Sequence, residues 1–346
     1  MLVSLAVDYG LELEQWDIGN AFLKGFTFAE MKRMCALFGI TVPDVERQVW
    51  IDVPGNVWWI LSKLGFFKDQ LRHCNHYCLE LLKAMYGLVD APILWSIALR
   101  FFITTGVHGL PSRYDENFFY WLDHSKEFNL VACATIHVDD LVLAASPAWL
   151  ERTYKMFVRK FGKVKRQYMP FVNIGMQYSK TPEGGIKLSQ SEYAKSLKLI
   201  PMPSEKEPSG SASLPGRPLT PLEITKLRGG IGSVLFLCLT RWDILWDLVS
   251  LQTRVKDATV AELVECNKIV NAAKRGIDRG LIYNPLTGNG VRTYSRRLAA
   301  VADSSHAGKG SSYAFEGNMI FLQAENYARP QRTRDYQSVL KASSIA

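Results

Sequence analysis

No stretch of this 346-residue chain is apolar for long enough to cross a bilayer. A helical span takes roughly 20 such residues, and the run at 234–239 is closed by Arg241 and Asp243. The opening Met1-Leu2-Val3-Ser4-Leu5-Ala6-Val7 has no basic residue and is followed by Asp8, so no secretory signal is expected. Cysteine is sparse: six scattered copies suit a reducing compartment and not a disulfide framework. Acidic residues are outnumbered 33 to 41, which leaves a formal charge of +8 and a pI near 9.1. That balance suits a polyanionic partner but equally describes any mildly basic soluble protein. At 48% hydrophobic residues the chain can bury cores for two domains or so. The expectation is an intracellular protein, cytoplasmic or nuclear, with no membrane partner.

What is present starts with His137-Val138-Asp139-Asp140, between the apolar runs at 130–136 and 141–145. Adjacent carboxylates at a hairpin tip repel each other. A divalent metal serving phosphate chemistry relieves that repulsion; ordinary turn chemistry, in which Asp caps its own backbone, explains the pair as well. A third strand-borne carboxylate lies far upstream, in Asp17-Ile18-Gly19-Asn20-Ala21-Phe22-Leu23-Lys24-Gly25, and a third segment reads Tyr86-Gly87-Leu88-Val89-Asp90-Ala91-Pro92, followed by Trp95.

In order and spacing these segments resemble the copia-type reverse transcriptases of LTR retrotransposons. The palm of that family carries Asp-Val-x-x-Ala-Phe-Leu-x-Gly, then Tyr-Gly-Leu-x-x-Ala-Pro, then a Val-Asp-Asp turn. The likeness continues in Gly184-Gly185-Ile186-Lys187-Leu188-Ser189-Gln190-Ser191-Glu192-Tyr193, in Gly232-Ser233, and in Thr240-Arg241-Trp242-Asp243-Ile244, where Trp242 replaces the usual Pro. Val301-Ala302-Asp303-Ser304-Ser305-His306-Ala307-Gly308 is similar to the opening strand of an RNase H domain.

The resemblance implies an α+β fold: a right-hand polymerase palm with an antiparallel sheet and helices, a helical thumb and connection, and a partial RNase H-like unit. It implies RNA-directed DNA synthesis on an RNA or DNA template with primer, from deoxynucleoside triphosphates, with Mg²⁺, or Mn²⁺ in its place. Asp17, Asp139 and Asp140 would be the catalytic, metal-holding carboxylates, which must then meet at one edge of the sheet. Phe22, Tyr86 and Gly87 would line the nucleotide pocket. Val89 and Asp90 replace the Lys-Gln common in relatives, which sets an anion beside a polyanionic substrate. Arg152, Lys155, Arg159 and Lys160 form the basic face of a helix capped by Ser146-Pro147, either a phosphate track or a solvated surface. Asp303 would be an RNase H remnant, because Glu316, Glu325 and Asp335 fit no expected context and the family's Ser-x-x-Glu-Ala-Glu signature is absent.

Along the chain, 1–200 reads as the palm with incomplete fingers, 201–221 as a Pro-, Ser- and Gly-rich linker, 222–290 as thumb and connection helices, and 291–346 as a truncated RNase H-like segment. Residues 28–47 read as an extra helix and loop. Residues 171–178 are similar to a Phe-Leu-Gly-Ile strand of the family. His73, Cys74, His76 and Cys78 crowd too closely for a tetrahedral zinc site. Two further readings stand beside the polymerase. One is a decayed retroelement remnant that folds or binds nucleic acid without catalysis. The other is an unrelated metal-dependent phosphohydrolase, against which Tyr86 to Pro92 and Leu188 to Gln190 argue.

Overall fold

A computed structural model describes the chain except residues 42–46, 70–75, 124, 126–128, 204–214, 286–295, 306–314, 325–338 and 346; from 286 onward only backbone is described. In chain order the elements are α1 (Leu2–Tyr9), β1 (Glu12–Ile18), α2 (Phe28–Leu37), β2 (Trp50–Ile51), α3 (Gly55–Lys63), β3 (Leu79–Glu80), α4 (Ala91–Phe101), β4 (Leu110–Pro111), β5 (Phe118–Asp123), β6 (Asn129–His137), β7 (Asp140–Ala145), α5 (Pro147–Phe161), β8 (Val164–Tyr168), β9 (Phe171–Asn173), β10 (Met176–Lys180), β11 (Ile186–Ser189), α6 (Ser191–Ser196), α7 (Pro221–Leu237), α8 (Leu245–Gln252), α9 (Val260–Arg275), β12 (Gly280–Tyr283), β13 (Arg296–Ser305), β14 (Phe315–Ala324) and β15 (Val339–Ile345). The fold is mixed α and β, built on antiparallel sheets. It divides into two compact units, Trp16–Arg166 and Met1–Gln15 with Gln167–Ala346. No helix among the described residues is long and apolar enough to cross a membrane.

The sheet that carries the candidate carboxylates runs β4-β5-β6-β7-β1-β8. Its neighbours β5–β6 and β6–β7 are antiparallel, with Ala134 facing Leu143 and Ile136 facing Leu141 across the second pair. Strand residues alternate between faces. Trp16, Ile18, Ala132, Ala134, Leu141, Leu143 and Ala145 all enter one core, together with Trp95 and Leu99 of α4 and Leu150, Phe157 and Phe161 of α5. Both helices therefore cover the same face. Trp16 meets Phe157 edge-on at 5.3 Å, and Trp95 meets Phe161 in the same way at 5.3 Å. Truncating any of these fully buried aromatics to Ala would cost about 3–5 kcal/mol.

The extra helix expected within 28–47 is α2. It opens with a capping box in which Glu30 accepts from the Thr27 amide at 3.0 Å and the Thr27 hydroxyl accepts from the Glu30 amide at 3.3 Å. Met34 and Cys35 on its inner side pack against Ile97 of α4.

In the other unit a second sheet runs β12-β11-β10-β9, all antiparallel. Residues 171–178, read as one strand, are instead two, because Ile174 and Gly175 both adopt positive φ, 48° and 71°, and fold β9 back on β10. Leu227, Val234, Leu248, Leu263, Cys266 and Val270 build the core of α7, α8 and α9. The Arg241 guanidinium is buried and grips Asp243 at 2.7 and 2.9 Å, while its third nitrogen donates to the carbonyls of Ala273 and Gly276 at the end of α9. Those carbonyls lack partners within the helix, so a buried cation is well placed there. Arg241 holds the Asp243 carboxyl below its ordinary range, and Arg279 adds to that.

Part of the stretch read as a linker, 204–214, lies outside the described residues, and both ends of it are pinned. Ile200 exchanges two hydrogen bonds with the Asn267 side chain. Leu219 is buried, and its amide donates to the Ala258 carbonyl at 3.0 Å. Thr220-Pro221-Leu222-Glu223 is a capping box with Pro at the first turn of α7. Near the C-terminus β13, β14 and β15 form an antiparallel meander in which Asp303 lies opposite Gly317.

The Arg217 guanidinium, 2.7 Å from Glu223 Oε1, and the Thr220 amide hold the Glu223 carboxyl down to about 2 from its ordinary 4.5. A carboxylate whose pKa is depressed by folding stabilises fully above 4.5, and that contribution disappears as the pH falls through about 2. Glu223→Gln should therefore lower stability by about 1–2 kcal/mol at pH 7. The difference in denaturant midpoint from the parent chain should shrink steadily below pH 4.5. A difference independent of pH would count against the ion pair and cap as its origin.

Candidate carboxylate site

β6 and β7 are joined by a two-residue turn, with His137 and Asp140 as the closing pair and Val138 and Asp139 at the tip. Two-residue turns match the twist of their strands when the first central residue takes positive φ. Val138 does so, at 57°, an unfavourable conformation for a branched side chain. Two long-range bonds hold the tip in place. The indole N–H of Trp95, fully buried on α4, donates to the Val138 carbonyl at 2.6 Å, and the Ile18 amide of β1 donates to the Asp139 carbonyl at 3.1 Å. The second bond sets Asp17, the neighbour of Ile18, next to the Val138-Asp139 turn.

Alternation decides where the carboxylates go. Trp16 and Ile18 face the core, so Asp17 lies on the opposite face of β1; Leu141 and Leu143 face the core, so Asp140 lies on that same opposite face of β7. Asp17, Asp139 and Asp140 are all half-buried. Lys24, on the turn of 3₁₀ helix Ala21–Lys24, is within electrostatic reach of Asp17. Burial lowers the pKa of this ammonium, and the attraction of Asp17 opposes the shift without cancelling it.

Among the described residues no three acidic, imidazole or thiol groups come together as a set that could hold a metal ion. Mg²⁺ does not require such a set. It keeps most of its water and is commonly held by one or two carboxylates together with substrate phosphates. Asp17 and Asp139, on segments joined by the Ile18–Asp139 backbone bond, carry hard oxygen donors of that kind.

The candidate nucleotide residues also meet. The rings of Phe22 and Tyr86 lie 4.6 Å apart, tilted by 49°. Phe22 packs against the cluster of Phe28, Ala84, Ala91 and Leu94, while Tyr86 keeps an exposed side. Gly87 has φ 98°, a region that side-chain-bearing residues rarely enter, and open space where a Cβ would stand. Asp90, read as an anion beside a polyanionic substrate, is paired: Arg47 Nε donates to its Oδ2 at 2.9 Å. The cation comes from the end of the extra segment. Nothing in the spacing of Arg47 and Asp90 announces the pair. Trp95 and Lys24 sit within the motifs, but their contacts depend on tertiary packing.

Arg152, Lys155, Arg159 and Lys160 are exposed on α5. That helix packs on the core face of the sheet, so these side chains lie on the far side from Asp17 and Asp140. The structure does not bring them together with the carboxylates. Asp303 lies on β13, where only the backbone course is described. His73 and Cys74 fall outside the described residues, as do His306, Glu325 and Asp335; Cys78 is exposed and free.

A mixed α/β unit whose antiparallel sheet carries carboxylates on neighbouring strands defines a class of chain more than a single protein. Within that class the chain is similar over 99% of its length to the retrovirus-related Pol polyprotein from transposon RE1 of Arabidopsis thaliana, at 24% identity over 365 residues. It is similar over the same share to the Pol polyprotein from transposon RE2 of that plant, at 22% identity over 362 residues. The chain spans 22% of the length of each of these relatives. No family model matches it. The likeness to retrotransposon Pol polyproteins, expected from the motifs, thus runs through nearly the whole chain.

Two substitutions test the clamp on the turn. Asn tolerates the left-handed region, so Val138→Asn should raise stability by about 1 kcal/mol. Trp95→Phe keeps the ring in the core but leaves the Val138 carbonyl without its donor, and should cost about 1–3 kcal/mol. Denaturant unfolding of the full chain measures both, and a neutral Trp95→Phe would remove the indole bond from the account.

Proposed function

We propose that Trp16–Arg166 is the palm of an RNA-directed DNA polymerase of the copia type, which extends a primer on an RNA or DNA template from deoxynucleoside triphosphates. The observation that carries this reading is the Ile18–Asp139 backbone bond, which sets the Asp17 strand against the tip of the Asp139-Asp140 hairpin. The Pol relatives support it. Asp17 and Asp139 would hold Mg²⁺, or Mn²⁺, with Asp140 beside them, and the metal when bound would supply positive charge to the phosphates. The residues of the chain do the positioning. Phe22, wedged against Tyr86, offers an aromatic surface for the nucleotide sugar; Gly87 lets the backbone approach closely; Arg47 neutralises Asp90 so that it does not repel phosphate. Holding the reacting groups in place provides much of the catalysis in phosphoryl transfer. In this reading α7, α8 and α9 serve as thumb and connection, and the β13-β14-β15 meander as the opening of an RNase H-like unit.

A second reading, a fold that binds nucleic acid without turnover, is favoured by one feature. The Lys24 ammonium stands within electrostatic reach of Asp17, where a metal would have to compete with it.

Primer extension with Mg²⁺ and with Mn²⁺ separates the two readings. The polymerase reading expects extension that falls by at least about 100-fold in Asp17→Asn and in Asp139→Asn, since both remove charge from the metal-holding pair, while retention of primer-template stays within about twofold. Nucleic-acid binding with no extension under either metal would refute it in favour of the second reading.

A further inference from the structure

The basic face of α5 lies across the sheet from the carboxylates, so it cannot track the phosphates of a primer end held beside Asp17. We infer that it is a separate docking surface for the phosphate backbone of duplex nucleic acid, independent of sequence and of the primer terminus. Arg152, Lys155 and Arg159 fall at i, i+3 and i+7, one stripe along the helix, with Lys160 at its edge. The stripe is about 10 Å long, the length over which one DNA strand presents about three phosphates. Arg152, Lys155 and Arg159, with Ala148, Glu151 and Met156, line a shallow depression of about 460 Å³.

The counter-charge available to this face is slight. Glu151 accepts from Arg166 at 2.5 Å and lies 3.4 Å from Lys155. Arg152, Arg159 and Lys160 have no ion pair among the described residues. The chemistry favours nucleic acid over a lipid surface. A helix that lies on a membrane must present its large apolar residues to the lipid, whereas Trp149, Leu150, Phe157 and Phe161 of α5 are buried in the core. No exposed aromatic is available on the stripe to stack on a base, so contacts to phosphate, which position without reading sequence, are what remain.

The experiment measures retention of covalently closed circular duplex, which has no primer end, as a function of salt. It compares the full chain with the triple variant Arg152→Ala/Arg159→Ala/Lys160→Ala. The three side chains are exposed, so the variant should melt like the parent, and melting followed by circular dichroism checks this. The expected result is binding by the parent chain and, in the variant, a slope of log affinity against log salt shallower by about 2.7, or 0.9 for each of three phosphates. An unchanged slope would overturn the proposal. So would a loss seen with a primer-template but not with the closed circle, which would return these cations to the polymerase site. Retention on phosphatidylserine vesicles that depends on the same residues, with no binding of the circle, would overturn it in favour of a membrane. Extension is not the readout, so an inert carboxylate site leaves this test intact.

Discussion

The two carbonyls at the tip of the β6–β7 hairpin carry the arrangement on which the site depends. A valine at positive φ costs about 1–2 kcal/mol relative to a relaxed turn, and an isolated hairpin would relax. Here Trp95 donates to one carbonyl and Ile18 to the other, so the core helix α4 and the neighbouring strand β1 fix the strained turn from two directions. The same bond from Ile18 sets Asp17 beside the turn. Backbone strain, aromatic burial and the meeting of the carboxylate strands are therefore a single device. Strain of this kind persists only where surrounding structure over-determines it, which is most often at functional sites.

From the packing of α4 and α5 on one face of the sheet a division of labour follows. Trp16 and Ile18 must face those helices to be buried, and strand alternation then sends Asp17 to the other side. The cations of α5, excluded from the core by their charge, project outward from the covered face. One sheet thereby separates negative from positive groups by its own thickness plus that of a helix. Each surface is left to meet its own ligand.

In the unit of Met1–Gln15 and Gln167–Ala346, polar contacts at helix ends take the place of the hairpin clamp. Arg241 closes the end of α9 and grips Asp243, while the capping boxes at Thr220 and Thr259 open α7 and α9. These groups satisfy helix-end amides and carbonyls that have no partner within the helix. The Trp242 that replaces a proline simply begins the 3₁₀ turn after Arg241.

Much of this was legible in the residues themselves. Gly10 and Gly162 mark the ends of α1 and α5, the Thr259-to-Glu262 box marks the start of α9, and the apolar runs on either side of His137-Val138-Asp139-Asp140 give a hairpin with its turn in the right place. Those signals are local: a cap, a turn or a periodicity is decided by residues a few positions apart. The motifs also carried the likeness to the Pol polyproteins. The Thr220-to-Glu223 box was just as local but hidden in a stretch whose Pro and Ser content reads as linker, and residues 171–178 fold back because Ile174 takes a conformation its branched side chain disfavours. The pairing of Arg47 with Asp90, the grip of Trp95 on Val138 and the side of the sheet to which the α5 cations fall were decided only by tertiary structure. Each joins residues more than forty positions apart or depends on which face of a strand is buried. Local sequence preference cannot fix either, because both are set by which surfaces the whole core can cover.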